Sequence, residues 1–127
     1  MNKVIIQTDN APAAIGAYSQ AVKVDDMVYV SGQIPLMPGS DELISEKFSE
    51  QAEQVLTNLA AIANAADGQL DDALKLTVYL TDLANFEVLN EVMAGVLSQP
   101  YPARAAVQVS ALPKGAQIEI DAIMCIK

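Results

Sequence analysis

Residues 102–126 read PARAAVQVSALPKGAQIEIDAIMCI. Two alternating runs flank the break Leu112-Pro113-Lys114-Gly115. Alternation rich in β-branched residues and interrupted by Pro and Gly predicts two strands joined as an antiparallel hairpin. In the second run Ile118, Ile120, Ala122, Met124 and Ile126 share one face, and Gln117, Glu119, Asp121 and Ile123 share the other. In the first, Ala105, Val107 and Val109 alternate with Arg104, Ala106, Gln108 and Ser110. A one-residue slip would swap every side chain between faces. Matching the apolar sides predicts Ala106 across from Glu119. Arg104 and Glu119 then share the less apolar face, with Arg104 near Asp121.

Working back from this stretch, Lys3–Thr8, Gln20–Val24 and Met27–Gln33 read as strands, the last two joined at Asp25-Asp26. Asp9–Ala17 and Ile34–Leu43 carry Pro and Gly and read as loops. Ser31-Gly32 ends the third strand; Gly32 permits close approach of a ligand or backbone, or simply marks a bulge. Glu46–Ala66 is a helix, with Phe48, Ala52, Val55, Leu56, Leu59, Ile62, Ala63 and Ala66 in one apolar stripe. Asp67-Gly68 stops it. Ala73–Leu80 is a strand with Leu74, Leu76, Val78 and Leu80 on one face. Thr81 or Asp82 caps a second helix reaching about Leu97, its stripe being Leu83, Phe86, Leu89, Val92 or Met93, and Val96. The order is roughly βββαβαββ, with two amphipathic helices on one face of a mixed sheet. The other face is expected to carry Tyr29, Ser31, Thr77, Tyr79, Arg104, Gln108 and Glu119, and a second copy of the chain is a natural cover for it.

The composition bounds the chemistry. A chain of 127 residues, 52% apolar and 18% charged, reads as one ordered domain over residues 1–127. A net charge of −9 with seven basic residues argues against nucleic acid and against an anionic membrane surface. The absence of a long apolar run, of a signal-peptide pattern and of a second cysteine points to the cytoplasm. With no histidine, Ser-His-Asp and Cys-His sites are excluded and no metal site is expected. No phosphate-binding glycine motif is present, so no cofactor is expected. Arg104 is the only arginine, hence the only side chain able to grip a carboxylate with a planar two-point fork. The plainer alternative is a surface arginine paired with Asp121.

Gly16-Ala17-Tyr18, Ser31-Gly32-Gln33-Ile34-Pro35, Asn90, Pro102-Ala103-Arg104 and Ile118-Glu119-Ile120 together resemble the RidA (YjgF) family of reactive enamine/imine deaminases. The resemblance spans essentially the whole chain. It implies an α+β fold like that of trimeric chorismate mutase, a homotrimer forming a barrel with its sheets inward, and sites between subunits. It implies hydrolysis of 2-iminopropanoate and 2-iminobutanoate to 2-oxo acids and ammonia. Arg104 would hold the substrate carboxylate and Glu119 would activate water and carry a proton. Tyr18 would line the pocket, the Ala106 N–H would hold substrate, and Ser31, Gly32 and Asn90 would complete the site. Many deaminating members carry Cys where this chain has Ala106, so no thiol role transfers, and Cys125 reads as structural. A non-catalytic binder of 2-oxo acids is the alternative, needing Arg104 but not Glu119.

Overall fold

The computed structural model describes residues 2–127. Its elements are β1 (Val4–Ile6), β2 (Ala21–Val24), β3 (Met27–Gln33), α1 (Phe48–Ala65), β4 (Ala73–Leu80), α2 (Phe86–Val96), β5 (Ala103–Gln108) and β6 (Ile118–Cys125). The predicted order βββαβαββ is therefore observed. One sheet runs β1-β2-β3-β6-β4-β5, antiparallel throughout except for the parallel pair β4 and β5.

The predicted hairpin is not present. β6 lies between β3 and β4, and β5 pairs with β4 alone. The reason lies in the segments on either side of β5. β4, α2 and β5 form a strand–helix–strand crossover, which returns the chain parallel to the strand it left. Residues 109–117 then carry the chain past β4 to its other side. β6 is also the better central strand, because Ile118, Ile120, Ala122 and Met124 are all buried, whereas β5 is mostly small and exposed.

α1 and α2 cover one sheet face. The α1 stripe is the predicted one, with Phe48, Ala52, Val55, Leu56, Leu59, Ile62 and Ala63 buried against Val28, Val30, Leu76, Val78, Ile118, Ile120 and Met124. In α2 Leu89 and Met93 are buried as expected, but the two ends of the stripe differ. Leu83 and Val96 are exposed, while Leu89, Met93 and Leu97 are buried. A tight 3-10 turn at Leu83–Asn85, capped by Asp82 accepting from the Ala84 N–H at 2.9 Å, precedes the helix. The 3.6-residue period therefore starts only at Phe86. Leu74 also departs from its predicted face. The register shifts between Ala73 and Lys75, and this bulge turns Leu74 outward at 51% exposure.

Two buried amides, which apolar patterning does not mark, tie the layers together. Gln51 Oε1 accepts from the Gln117 N–H at 2.9 Å while its Nε2 donates to the Ser45 carbonyl at 2.8 Å, joining α1 to the start of β6. Asn58 Nδ2 donates to the Leu36 carbonyl at 3.0 Å and anchors the β3–α1 loop. Replacing Gln51 with Leu fills the same space but leaves the Gln117 N–H without a partner. The expected loss is about 1–3 kcal/mol of unfolding free energy, read from the midpoint of a urea titration at unchanged slope.

Candidate active site

Arg104 is in register with Leu76, so its side chain leaves β5 on the helix-covered face. This corrects the expected face for Arg104, and for Gln108, which pairs with Leu80. Phe86, Asn90 and Met93, spaced along one side of α2, receive the arginine. Arg104 Nη1 donates to Asn90 Oδ1 at 2.6 Å and lies 3.7 Å from Met93 Sδ. The guanidinium carbon stands 5.1 Å from the centre of the Phe86 ring, a cation–π contact worth about 0.5–1 kcal/mol at an exposed position. All three supports are neutral. No carboxylate among the described residues pairs with Arg104, which rules out the Asp121 pairing within the chain. The Nε–Nη2 edge has no partner among the described residues, and such an edge fits a carboxylate through two parallel hydrogen bonds. Arg104 borders a cleft of about 490 Å³ walled by Asn90, Met93, Leu97, Tyr101 and Pro102.

The backbone of β5 adds a donor beside it. The Val109 N–H donates to the Leu80 carbonyl on β4 at 2.8 Å. Amide direction alternates along a strand, so the Ala105 and Val107 amides also face β4. The N–H groups of Arg104 and Ala106 point off the open edge. The structure thus brings Arg104 and Asn90 together, with the Ala106 N–H two residues further along the same strand.

A second group forms on the other face, around β3 and β6. The β3–β6 register shifts between Val30 and Gln33, at Ser31-Gly32. A β-carbon at Gly32 would sit 2.8 Å from the Glu119 carboxyl carbon, so the carboxylate lies across bare backbone. Tyr18 and Gly32 border one cleft of about 550 Å³, together with Ile15, Gln33 and Lys114. The Tyr18 hydroxyl accepts from the Ile15 N–H at 3.3 Å. Ser31 is held in place: its Oγ donates to the Ser19 carbonyl at 2.6 Å and its N–H to the Gln20 carbonyl at 2.9 Å. It clamps the segment after Tyr18 onto β3. Gln20, buried and not foreseen, holds the backbone of Thr8 and Pro12 and so shapes the loop leading to Tyr18.

The two groups do not meet within one chain. Glu119 is opposite Tyr79, and Tyr79 is opposite Val107. Two strand spacings and a three-residue offset put the Arg104 and Glu119 backbones on the order of 14 Å apart, with side chains on opposite faces. The expected shared face is therefore corrected. Burial pushes the Glu119 carboxyl above its ordinary pKa, and the charge of Asp121 adds to the shift.

A profile of the family described as Endoribonuclease L-PSP matches residues 8–126, nearly the whole chain. The chain belongs to this family, the RidA family. RidA from the Antarctic bacterium Psychrobacter sp. matches with a TM-score of 0.93 at 58% identity, covering 97% of this chain and 99% of that one. The 2-iminobutanoate/2-iminopropanoate deaminase of Rattus norvegicus is 50% identical over 119 residues, 94% of this chain and 87% of its own length. The crystal structure of E. coli TdcF with bound serine matches with a TM-score of 0.91 at 40% identity, covering 98% of this chain and 99% of that one. The six-stranded sheet with two helices on one face is thus the fold of the RidA family.

A carboxyl whose pKa is higher folded than unfolded binds its proton more tightly in the folded state. Its contribution to stability is complete at low pH and is lost as pH rises through the folded pKa. Glu119→Gln is therefore expected to melt higher than the parent near pH 8. The difference should close as the pH approaches about 4, where the unfolded glutamate is itself protonated. Thermal melts across that range check the sign.

Proposed function

We propose that this RidA-family chain hydrolyses small 2-imino acids and their enamine tautomers, such as 2-iminopropanoate and 2-iminobutanoate, to 2-oxo acids and ammonia. The site is completed between two copies of the chain in a homotrimer. The observation that carries this reading is the Arg104 guanidinium, the only one in the chain, supported by neutral groups and with its Nε–Nη2 edge without a partner among the described residues. The deaminase relatives support the substrate class.

The chemistry follows from the substrate. Its carboxylate takes the Nε–Nη2 edge of Arg104, and the Ala106 N–H donates to the same end of the molecule. Asn90 fixes the guanidinium through Nη1. An imine carbon is already electrophilic, so positioning and proton transfer suffice and no covalent nucleophile is needed. A neighbouring copy supplies Glu119 and Tyr18. The Glu119 carboxylate takes a proton from water as its oxygen bonds to the imine carbon. The resulting carboxylic acid returns that proton to nitrogen, giving the carbinolamine; Glu119 then takes the hydroxyl proton and passes it to nitrogen as the C–N bond breaks, so that ammonia departs and the C=O of the 2-oxo acid forms. A raised carboxyl pKa suits a group that must accept and then donate. Tyr18 closes the cleft over Gly32 and hydrogen-bonds the substrate or the water.

The test generates the imine with a threonine/serine dehydratase in the presence of semicarbazide and follows free 2-oxo acid. The parent protein is expected to divert imine from the trap. Arg104→Ala is expected to lose at least about 100-fold in kcat/KM, the equivalent of two charge-assisted hydrogen bonds. Glu119→Gln should lose about 100- to 10,000-fold in kcat while still binding 2-oxobutanoate. Ligand binding through Arg104 without turnover by the parent would instead establish a 2-oxo acid binder.

A further inference from the structure

Glu119 is not alone on its face. Asp121 follows it at the two-residue spacing that keeps side chains on one side of a strand. Tyr79 on β4 is directly opposite Glu119, and Thr77 is opposite Asp121. The Tyr79 hydroxyl reaches diagonally and donates to Asp121 Oδ2 at 2.9 Å. Such a bond holds the Asp121 side chain in place on this face. Glu119 makes no comparable bond among the described residues and lies against the bare backbone of Gly32. The face therefore holds two carboxyls in unequal settings, one anchored and one free to exchange its proton.

We propose that Asp121, fixed by the Tyr79 hydroxyl, is a positioning residue that governs proton transfer by Glu119. This rests on the deaminase reading above. A charge held on the same face disfavours a second charge nearby, so Glu119 remains a stronger base and is more readily reprotonated during the cycle. The groups that face Glu119 are consistent with this. β4 presents Tyr79, and β6 itself presents Asp121. β3 presents Gly32, which carries no charge. The loops bordering Gly32 bring Tyr18, Asp41 and Lys114 to the cleft. Tyr79 is held protonated by its bond to Asp121, with burial and the nearby charges acting in the same direction, so it remains a donor.

The experiment uses the assembled protein and two readouts. One is the pH profile of kcat/KM in the dehydratase-coupled assay. The other is titration of the Glu119 side-chain carboxyl by carbon-13 NMR, which does not need turnover. Removing the charge with Asp121→Asn should move both the Glu119 titration and the acid limb of the profile to lower pH. Plateau kcat should fall a few-fold, as expected for a weaker base. Asp121→Glu keeps the charge and should leave both midpoints near the parent values. Superimposable titrations for Asp121→Asn and the parent would overturn the proposal while leaving the deaminase reading intact. A shifted NMR titration with an unmoved acid limb would also overturn it, since Glu119 would then carry no proton in the reaction. Turnover retained by Glu119→Gln would defeat this proposal and the assigned role of Glu119 together.

Discussion

Within the chain β5 has one neighbour, β4, and runs parallel to it. That pairing decides the geometry of the candidate site. It turns Arg104 toward α2, where a helical line of Phe86, Asn90 and Met93 receives it. It points the Ala106 N–H off an open strand edge. It also leaves β6 to take the middle of the sheet, so that Glu119 emerges two strands away on the opposite face.

The separation has a chemical consequence. Arg104 and Glu119 in contact within one chain would form an ion pair. The arginine would lose its free edge, and the glutamate would be held as a low-pKa carboxylate. Kept apart, each retains the state that the proposed imine hydrolysis requires. The guanidinium is braced by an amide, a thioether and an aromatic ring, none of which competes for its charge. The carboxyl is half-buried over Gly32 and its pKa rises. In a chain of net charge −9, one unpaired guanidinium in an apolar-walled cleft is a local exception in the field, which suits a single small anion better than a polyanion.

Much of the fold was legible because periodicity reports burial. The α1 stripe from Phe48 to Ala66 and the core face of β6 both emerge as written in the sequence. Leu74 and Leu83 were misassigned because a bulge and a 3-10 turn shift the phase without leaving a mark in hydrophobicity. The hairpin reading failed because alternation fixes which residues share a face of one strand, but not which strand lies alongside. Ala105 and Ala106 are too alike in size and polarity to say which side of β5 faces the helices. Arg104 stands out as the chain's only arginine and Asn90 came from the family resemblance, but their 2.6 Å bond depends on that undetermined face. Gln20, Gln51 and Asn58 satisfy buried backbone groups, a task that no spacing rule announces.

The central claim is that Arg104 of one copy works with Glu119 of another, and subunit complementation tests it most directly. Arg104→Ala and Glu119→Gln chains, each inactive alone, are unfolded together, refolded as a mixture and assayed for 2-oxo acid release. Random assembly should recreate about one intact site in four, because each site draws one residue from each of two copies. Activity recovered near a quarter of the parent's is the predicted result. A mixture as inactive as either variant, despite verified exchange of subunits, would mean that both residues act from the same chain and would contradict the account.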